Sequence, residues 1–340
     1  MPTKKLGQQT AALTTPLSIL CAANVVGRME GSGPLSDYFD YIDKDDTFGA
    51  VTWEQSERAM QQKALSLALQ KGGLTPQQLD WLFAGDLLNQ CISSSFAARE
   101  QKIPFFGLYG ACSTFGEGLI LAAMALDGSF GERAGVVVSS HFCTAERQYR
   151  TPLEYGCQRT PTAQWTVTGA GAVILQQGGE GPYLTHLTPG KIVDKGIADT
   201  NNMGAAMAPA AYDTLAAHFQ DTGRGPDFYD LIVTGDLGKL GSELLQELFR
   251  RDGLDLSPGY TDCGLLIFDL KGQDVHCGGS GCGCSASVFT GYLLNGLRSG
   301  RWKRLLFCPT GALHSPTTAF QGETIPGICH AVAISTQLEH

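Results

Sequence analysis

A long-period internal repeat is the feature that most constrains how this chain can fold. Residues 80–88 (DWLFAGDLL) align with residues 230–238 (DLIVTGDLG) at an offset of about 150 residues. Residues 112–130 align with residues 284–302, and a Cys-Ser pair begins each of these segments. Both alignments keep the same order of turn, helix, glycine and strand. The repeat predicts a duplicated βα unit and two pseudo-symmetric halves, because a period this long does not fit a solenoid.

Short apolar segments alternate with helical ones between and around the repeats. A capping box at 52–55 opens a helix that we expect to reach residue 71, and a second helix start lies at 75–76. This alternation predicts an α/β fold with parallel strand pairing and helices on both faces of the sheet. We place the N-terminal half at 1–180 and the C-terminal half at 181–337, and we interpret 338–340 as a purification-tag remnant. The predicted strands are 16–26, 81–86, 103–108, 136–140, 168–175, 230–236, 263–270, 305–308 and 329–335.

Composition excludes several classes of protein. The 340 residues carry a formal net charge of −9, which argues against a nucleic-acid partner. Eleven scattered cysteines do not fit a small disulfide framework and indicate free thiols in a reducing compartment. Residues 1–13 lack the apolar core of a signal peptide, and the longest apolar run, 118–126, is far shorter than the ~20 residues of a membrane span. We therefore expect a cytoplasmic fold.

Cys112 is the strongest candidate for chemistry. It follows Gly110 and Ala111 where a predicted strand turns into a helix, and backbone N–H groups at a helix start lower a thiol pKa and attract anions. The functional interpretation is a nucleophile for acyl transfer; the alternative is a small buried apolar side chain. A nucleophilic cysteine needs a base, and His141 lies at the end of a predicted strand, where functional side chains collect. His276 and His314 flank the second glycine turn and the strand after it; the alternative for each histidine is a structural role.

Metal and cofactor signals are weak. The aspartate-rich segment 37–46 lacks the spacing of a calcium loop, so we interpret it as a solvated loop. His276 and the cysteines of 277–284 lack the paired spacing of a zinc site. The glycines of 169–173 enter a strand instead of opening a helix, so they do not form a dinucleotide-binding fingerprint. No metal or cofactor is predicted.

The two halves, the elbow GACS at 110–113 and the turn GGSGCGCSAS at 278–287 resemble the thiolase superfamily, and most closely its type III β-ketoacyl carrier-protein synthases. This resemblance implies a five-layer αβαβα sandwich and a Cys nucleophile assisted by a His and an Asn. Here Asp236 ends the stretch where the His is expected, and Cys282 is closest to the Asn position. The resemblance thus implies a protein without catalysis. The alternative is an acyl-transferring or condensing enzyme that uses Cys112.

Longer blocks resemble one branch of this superfamily, the stage V sporulation protein AD family. They lie at 110–119, 139–172, 202–215 and 273–287, and the resemblance covers nearly the whole chain. It implies binding of dipicolinic acid, alone or as its calcium chelate, and its movement into the forespore and release in germination. It also implies membrane proteins of the same sporulation operon as partners, and a peripheral place on the spore inner membrane. Thiolase-like proteins form homodimers through an edge strand, which we place at 136–140.

A planar dicarboxylate is best recognised by arginine forks and by N–H groups at a helix start. The elbow at Cys112 would supply the N–H groups, and the arginines of the block 139–172 would supply the forks. Among these arginines, Arg147 and Arg159 are stronger candidates than Arg150. The alternative is that these arginines pair with Glu146 and Glu154 across the dimer surface. The predicted ligand-binding residues are Cys112, Ser113, His141, Arg147, Arg159 and Asp236.

Overall fold

One mixed β-sheet and the helices packed on it form most of the chain. A computed structural model describes residues 4–149 and 159–338. The strands are β1 Ala11–Val26, β2 Tyr41–Ile42, β3 Trp81–Gly85, β4 Phe105–Leu108, β5 Arg133–Ser140, β6 Trp165–Thr166, β7 Gly169–Gln177, β8 Tyr183–Thr188, β9 Leu231–Thr234, β10 Tyr260–Asp262, β11 Gly279–Ser280, β12 Arg304–Cys308, β13 Thr310–Ala312, β14 Gly327–Cys329 and β15 Ala331–Ser335. The helices are α1 Arg28–Gly31, α2 Trp53–Gly72, α3 Ile92–Gln101, α4 Thr114–Asp127, α5 Phe142–Tyr149, α6 Met203–Thr222, α7 Gly238–Arg251, α8 Cys263–Leu266, α9 Cys282–Val288, α10 Leu294–Arg298 and α11 Pro316–Phe320.

The strand order repeats between the two halves. The sheet runs β10-β9-β12-β15-β8-β1-β7-β5-β3-β4, so each half contributes its strands in the same spatial order. Within the first half, β3 pairs in parallel with β4 and β5, whereas β7 is antiparallel to β5 and β1. The second half shows the same pattern in β9, β10, β12, β15 and β8. β1 and β8 pair antiparallel and join the halves into one sheet.

Asp80 and Asp230 occupy equivalent positions in the two halves and accept equivalent backbone hydrogen bonds. Asp80 Oδ2 accepts a hydrogen bond from the backbone N–H of Arg133 at 3.0 Å, at the start of β5. Asp230 Oδ2 accepts one from the N–H of Arg304 at 2.9 Å, at the start of β12. Each carboxylate ties the turn before one strand to the beginning of its parallel neighbour. The duplication predicted from the sequence is therefore present in the fold.

Helices cover the sheet outside and fill the space inside. Helix α2 packs on β1, β5 and β7, and α6 packs on β8 and β15. Helix α4 contacts strands of the first half and β15 of the second, and α9 contacts both α4 and β7. The rings of Phe115 and Phe289 meet there with centroids 5.6 Å apart, and both side chains are fully buried. Nowhere in the described ranges is a helix both long and apolar enough to cross a membrane.

Three expectations about strands and pairing are wrong. The pairing is mixed and not all parallel, because β7 and β15 run against their neighbours. The apolar segment 263–270 begins with helix α8 instead of a strand, since the Asp262 side chain accepts a hydrogen bond from Gly264 N at 2.9 Å and caps that helix. Residues 136–140 lie inside the sheet, with β3 on one side of β5 and β7 on the other. The strand at the end of the first half's sheet is β4.

Candidate functional site

Cys112 occupies the tight turn that the sequence predicted between β4 and α4. Ala111 has a left-handed backbone with φ of 49°, which turns the chain sharply before the helix begins. Ser113 Oγ donates to the Gly110 carbonyl at 2.7 Å, and Thr114 Oγ1 donates to the Ala111 carbonyl at 2.6 Å. These bonds fix the turn and aim the Cys112 thiol toward the second half, where its sulfur lies 3.6 Å from Ser280 Oγ.

The Asp236 carboxyl lies behind this thiol. Asp236 follows β9, and its Oδ1 accepts a hydrogen bond from Thr310 Oγ1 at 2.7 Å. Burial, followed by the nearby Asp236 charge, raises the pKa of Cys112 well above that of an ordinary thiol. Burial also raises the pKa of Asp236 to about 7, against the opposing effect of hydrogen bonds from Thr310 and Cys112. Asp236 disfavours ionisation of Cys112, whereas the hydrogen bond from the thiol favours ionisation of Asp236, so the thiol is held neutral.

The glycine turn after β11 forms the opposite wall. Gly281 has φ of 101°, a conformation that favours glycine, and its backbone N–H points toward Cys112. The next residue, Cys282, donates its thiol to the Ser139 carbonyl at 2.9 Å. The side chain at the expected Asn position is therefore engaged with strand β5.

A cavity of about 360 Å³ opens in front of Cys112. Its volume is in the range of pockets that hold small molecules. A second cavity of about 340 Å³ adjoins it and shares Tyr109, Tyr149 and His314 as lining. The Tyr109 and Tyr149 hydroxyls lie 2.8 Å apart, and Tyr149 donates to the Leu87 carbonyl at 2.5 Å. The polar groups lining the first cavity include Tyr109, Cys112, Tyr149, Gln164, Ser280 and His314.

The structure places His141 and Ser113 away from this lining. His141 Nε2 donates to the Asp46 carbonyl at 2.9 Å, and its Nδ1 accepts from Cys143 N at 3.1 Å at the start of α5. Burial lowers its pKa, so the ring is neutral and both nitrogens are occupied within the chain. Ser113 is fully buried in the elbow. Both residues hold the local backbone in place.

Arg147 and Arg159 also lie outside the lining of the cavity. Arg147 is half exposed and pairs with Glu54 of α2. Arg159 is buried, forms an ion pair with Asp274 at 2.6 Å and stacks on the Trp165 ring at 4.8 Å. Arg150 and Glu154 lie outside the described residues. Of the six predicted residues, Cys112 lines the cavity and Asp236 lies behind it.

Sequence reasoning missed most of the polar lining. Gln164 immediately precedes the two-residue strand β6, and Tyr149 ends helix α5. His314, one of the histidines weighed as a base from the sequence, follows β13 and does line the cavity, and burial lowers the pKa of its ring. Gln164 and Tyr149 fall inside the block 139–172 that carries the family resemblance, which is the one signal that could have drawn attention to them. No local pattern marks them, because the cavity forms only when distant loops meet.

Carboxylates of the aspartate-rich segment accept hydrogen bonds from donors of the same chain. Asp45 Oδ1 accepts from Thr47 Oγ1 at 2.7 Å, and Asp46 Oδ1 accepts from Arg28 N at 2.7 Å. Asp37, Asp40 and Asp45 are exposed, as expected for a solvated loop, whereas Asp43 is buried. Across residues 4–149 and 159–338, no group of three or more His, Cys, Asp or Glu side chains is arranged to hold a metal ion.

Solved structures share the fold of this chain. The 3-oxoacyl-[acyl-carrier-protein] synthase III from Aquifex aeolicus matches 94% of this chain and 99% of its own, with a TM-score of 0.58 and 12% identity. Cerulenin-bound OleA from Xanthomonas campestris matches 95% of this chain and 98% of its own, with a TM-score of 0.62 and 15% identity. At such low identity these matches show the shared thiolase fold alone.

Sequence comparison is more specific. A family model described as stage V sporulation protein AD matches residues 7–335. The stage V sporulation protein AD of Bacillus subtilis (strain 168) is 44% identical over 329 residues, which is 97% of each chain. The blocks that suggested this family from the sequence alone lie within the matched range. The chain has a thiolase fold and belongs to the stage V sporulation protein AD family, a family of sporulation proteins.

Proposed function

We propose that this protein binds dipicolinic acid, alone or as its calcium chelate, in the cavity beside Cys112, without catalysing a reaction. Binding would serve the movement of the acid into the forespore and its release in germination. The observation that carries the proposal is the pairing at the cavity floor. The thiol that a condensing enzyme would use as a nucleophile faces the Asp236 carboxyl instead of a basic side chain.

A thiol attacks as its thiolate, and a neighbouring base or positive charge normally favours that form. Here the largest influence on Cys112 is burial, and the second is a carboxyl, so both disfavour the thiolate. The histidine nearest to the cavity, His314, belongs to its lining, but burial lowers its pKa and weakens it as a base. These environments support a binding role for the cavity.

The lining suits a small polar acid. The cavity combines hydroxyl and amide groups with apolar walls such as Leu87 and Ala163, which is the usual composition of a small-molecule site. Ser280, Asn201 and the Gly281 backbone can donate hydrogen bonds to carboxylate oxygens. Glu146 and Asn201 offer oxygen atoms of the kind that calcium prefers, so the same space supports the chelate.

Calorimetry with dipicolinic acid, with and without calcium, tests this proposal. Ala163→Phe places a ring in the cavity and should abolish binding, whereas the matched variant Ala50→Phe, at a residue outside the lining, should bind like the wild type. Equal binding by both variants would place the ligand elsewhere. Absence of binding by the wild type would overturn the assignment of dipicolinic acid.

The homodimer is proposed with a corrected interface. β4 ends the sheet in the first half, and Phe106 on it is 50% exposed. Ile92 and Phe96 on the adjacent helix α3 are also exposed. An exposed apolar edge is normally covered, and a second copy related by a two-fold axis would extend the sheet through β4. Membrane proteins of the sporulation operon, on the inner membrane of the spore, are proposed as further partners.

A further inference from the structure

Gln164 has a fixed orientation in the wall of the cavity. Its Nε2 donates to the Asp236 carbonyl at 2.6 Å and to the Gly279 carbonyl at 3.0 Å. Both neighbours are acceptors, so the side-chain nitrogen must face them, and the opposite assignment of the amide would bring three oxygens together. The side-chain oxygen, Oε1, therefore points away from these two loops.

The surrounding backbone leaves this amide little freedom. Gln164 is 6% exposed. Gly238 has φ of 62°, and a side chain there would place its Cβ 2.7 Å from Gln164 Nε2. The side chain thus bridges the loop after β9 and the strand β11. Because it is held by both, its oxygen is a positioned acceptor.

That oxygen is buried and has no hydrogen-bond partner within the described parts of the chain. Gln164 also lines the cavity beside Cys112. A buried acceptor without a partner is costly, so such atoms usually meet a ligand or another polar group. The partner of a carbonyl oxygen must be an N–H or O–H donor.

We propose that Gln164 Oε1 accepts a hydrogen bond from the bound ligand and that, in the absence of calcium, the cavity therefore takes a dicarboxylic acid in its singly protonated form. This inference rests on the proposed function. An ionised dicarboxylate carries only acceptors and would place oxygen against oxygen at Gln164. With one proton retained, the carboxyl O–H donates to Oε1, and the second, ionised carboxylate meets the donors of the cavity. Since a free carboxylic acid has a pKa of about 4, binding at neutral pH takes up one proton from water.

Other titratable groups face the same space and must be separated from the ligand in any test. Asp236 is the most important, because burial raises its pKa to about 7 and its backbone contacts Gln164. The groups behind Gln164 are Asp236, Asp262 and Cys277, and those across the cavity include Cys112, Glu146 and His314.

Calorimetry on the wild-type protein, in calcium-free solution at pH 6, 7 and 8, measures the proton directly. Titrations in two buffers with different ionisation enthalpies should show uptake of about one proton per dipicolinic acid, and an affinity that falls about tenfold per pH unit. The monoamide of dipicolinic acid carries a permanent N–H donor. It should bind with no proton uptake and with an affinity that does not change with pH.

Two variants assign the proton. Gln164→Met keeps the length of the side chain but removes the acceptor, and should weaken both ligands at least tenfold and abolish the preference for the protonated acid. Asp236→Asn should keep the proton uptake. Uptake that disappears in Asp236→Asn and persists in Gln164→Met would overturn the inference. Binding of dipicolinic acid by the wild type without proton uptake would also overturn the inference. This result does not depend on the folding of a variant, and it would leave the proposed function intact. Failure of the wild type to bind either ligand would overturn both.

Discussion

The Cys112 thiol faces the Asp236 carboxyl at the junction between the two halves. Cys112 precedes helix α4 of the first half, and Asp236 follows strand β9 of the second. Both side chains are buried, and the Asp236 carboxyl raises the cost of ionising the Cys112 thiol. A thiolase elbow is thus retained while the charge around its thiol opposes the reactive form.

The first prediction concerns acyl transfer. Incubation with acetyl or malonyl thioesters should leave Cys112 unmodified, because burial and Asp236 keep its pKa well above the ordinary thiol value. Mass spectrometry of the intact protein and of the peptide that contains Cys112 measures the adduct, with Cys112→Ala as the blank. A stoichiometric acyl adduct that is absent from the blank would support the alternative of a condensing enzyme, which the elbow geometry at Ala111 would then serve.

A second prediction follows from the charge on Asp236. In Asp236→Asn the carboxylate is gone, so the pKa of Cys112 should fall and its alkylation by iodoacetamide at pH 8 should be several times faster. The pKa should still exceed the ordinary value, since burial is the larger cause. The rate is measured from pH 7 to 10. The Thr310→Val variant removes the hydrogen bond to Asp236 Oδ1 but keeps the carboxyl, and should not accelerate the reaction. Equal alkylation rates in wild type and Asp236→Asn would contradict an effect of the Asp236 carboxylate on the Cys112 thiol.

The pH dependence of stability should depend on Glu57. This buried glutamate of α2 accepts hydrogen bonds from Ser139 Oγ and Thr144 Oγ1, and burial, with Asp86 nearby, raises its pKa from 4.5 to about 8. Its folded pKa exceeds the unfolded one, so its stabilising contribution is present below about pH 4.5 and is lost as the pH rises through about 8. The amide side chain introduced by Glu57→Gln cannot ionise.

As the pH is raised from 6 to 9, the thermal midpoint of Glu57→Gln should therefore rise relative to that of the wild type. Differential scanning calorimetry at four pH values measures the gap. Glu243→Gln, at an exposed position of α7, controls for the loss of one negative charge and should show no such trend. A gap that stays constant with pH would contradict a neutral Glu57 in the folded protein.

The two arginines chosen from the sequence should differ in their effect on dipicolinic acid binding. Arg147→Ala should leave the affinity within about twofold of wild type, because Arg147 pairs with Glu54 at the surface. Arg159 is buried five residues before Gln164, and its Nη1 has no hydrogen-bond partner in the described ranges. Arg159 does not line the cavity but stacks on Trp165, the residue after Gln164, so Arg159→Ala should weaken dipicolinic acid binding more than Arg147→Ala does. Calorimetry of the two variants side by side decides, and the reverse order of effects would exclude Arg159.

Association in solution should depend on the edge strand. Light scattering of the wild type at micromolar concentration should give the mass of a dimer. Phe106→Asp places a charge on β4 and should yield a monomer, whereas Ile192→Asp changes an exposed residue of the other half and should remain dimeric. A monomeric wild type would end the proposal of a homodimer, and a dimeric Phe106→Asp would move the interface away from β4.

The sequence by itself determined the features that depend on neighbouring residues. Thr52 caps α2 by accepting a hydrogen bond from Gln55 N, as the capping box predicted. The glycine-led elbow places Cys112 before α4, and the repeated aspartates at 80 and 230 mark equivalent turns. These features form through hydrogen bonds and backbone preferences within a few residues, or through a duplication that preserves them.

Only the tertiary structure decided the order of strands and the lining of the cavity. Strand β5 has the same apolar pattern whether it lies at an edge or inside, so the sequence did not show that β3 and β7 enclose it. Gln164 and His314 come from loops far from Cys112 in the chain and meet it only when the fold is complete. His141 and Arg147 lie nearer to Cys112 in sequence than Gln164 does, but local hydrogen bonds and an ion pair direct them elsewhere. Long-range packing chooses among side chains that local patterns leave equivalent, and for that reason the site required the fold.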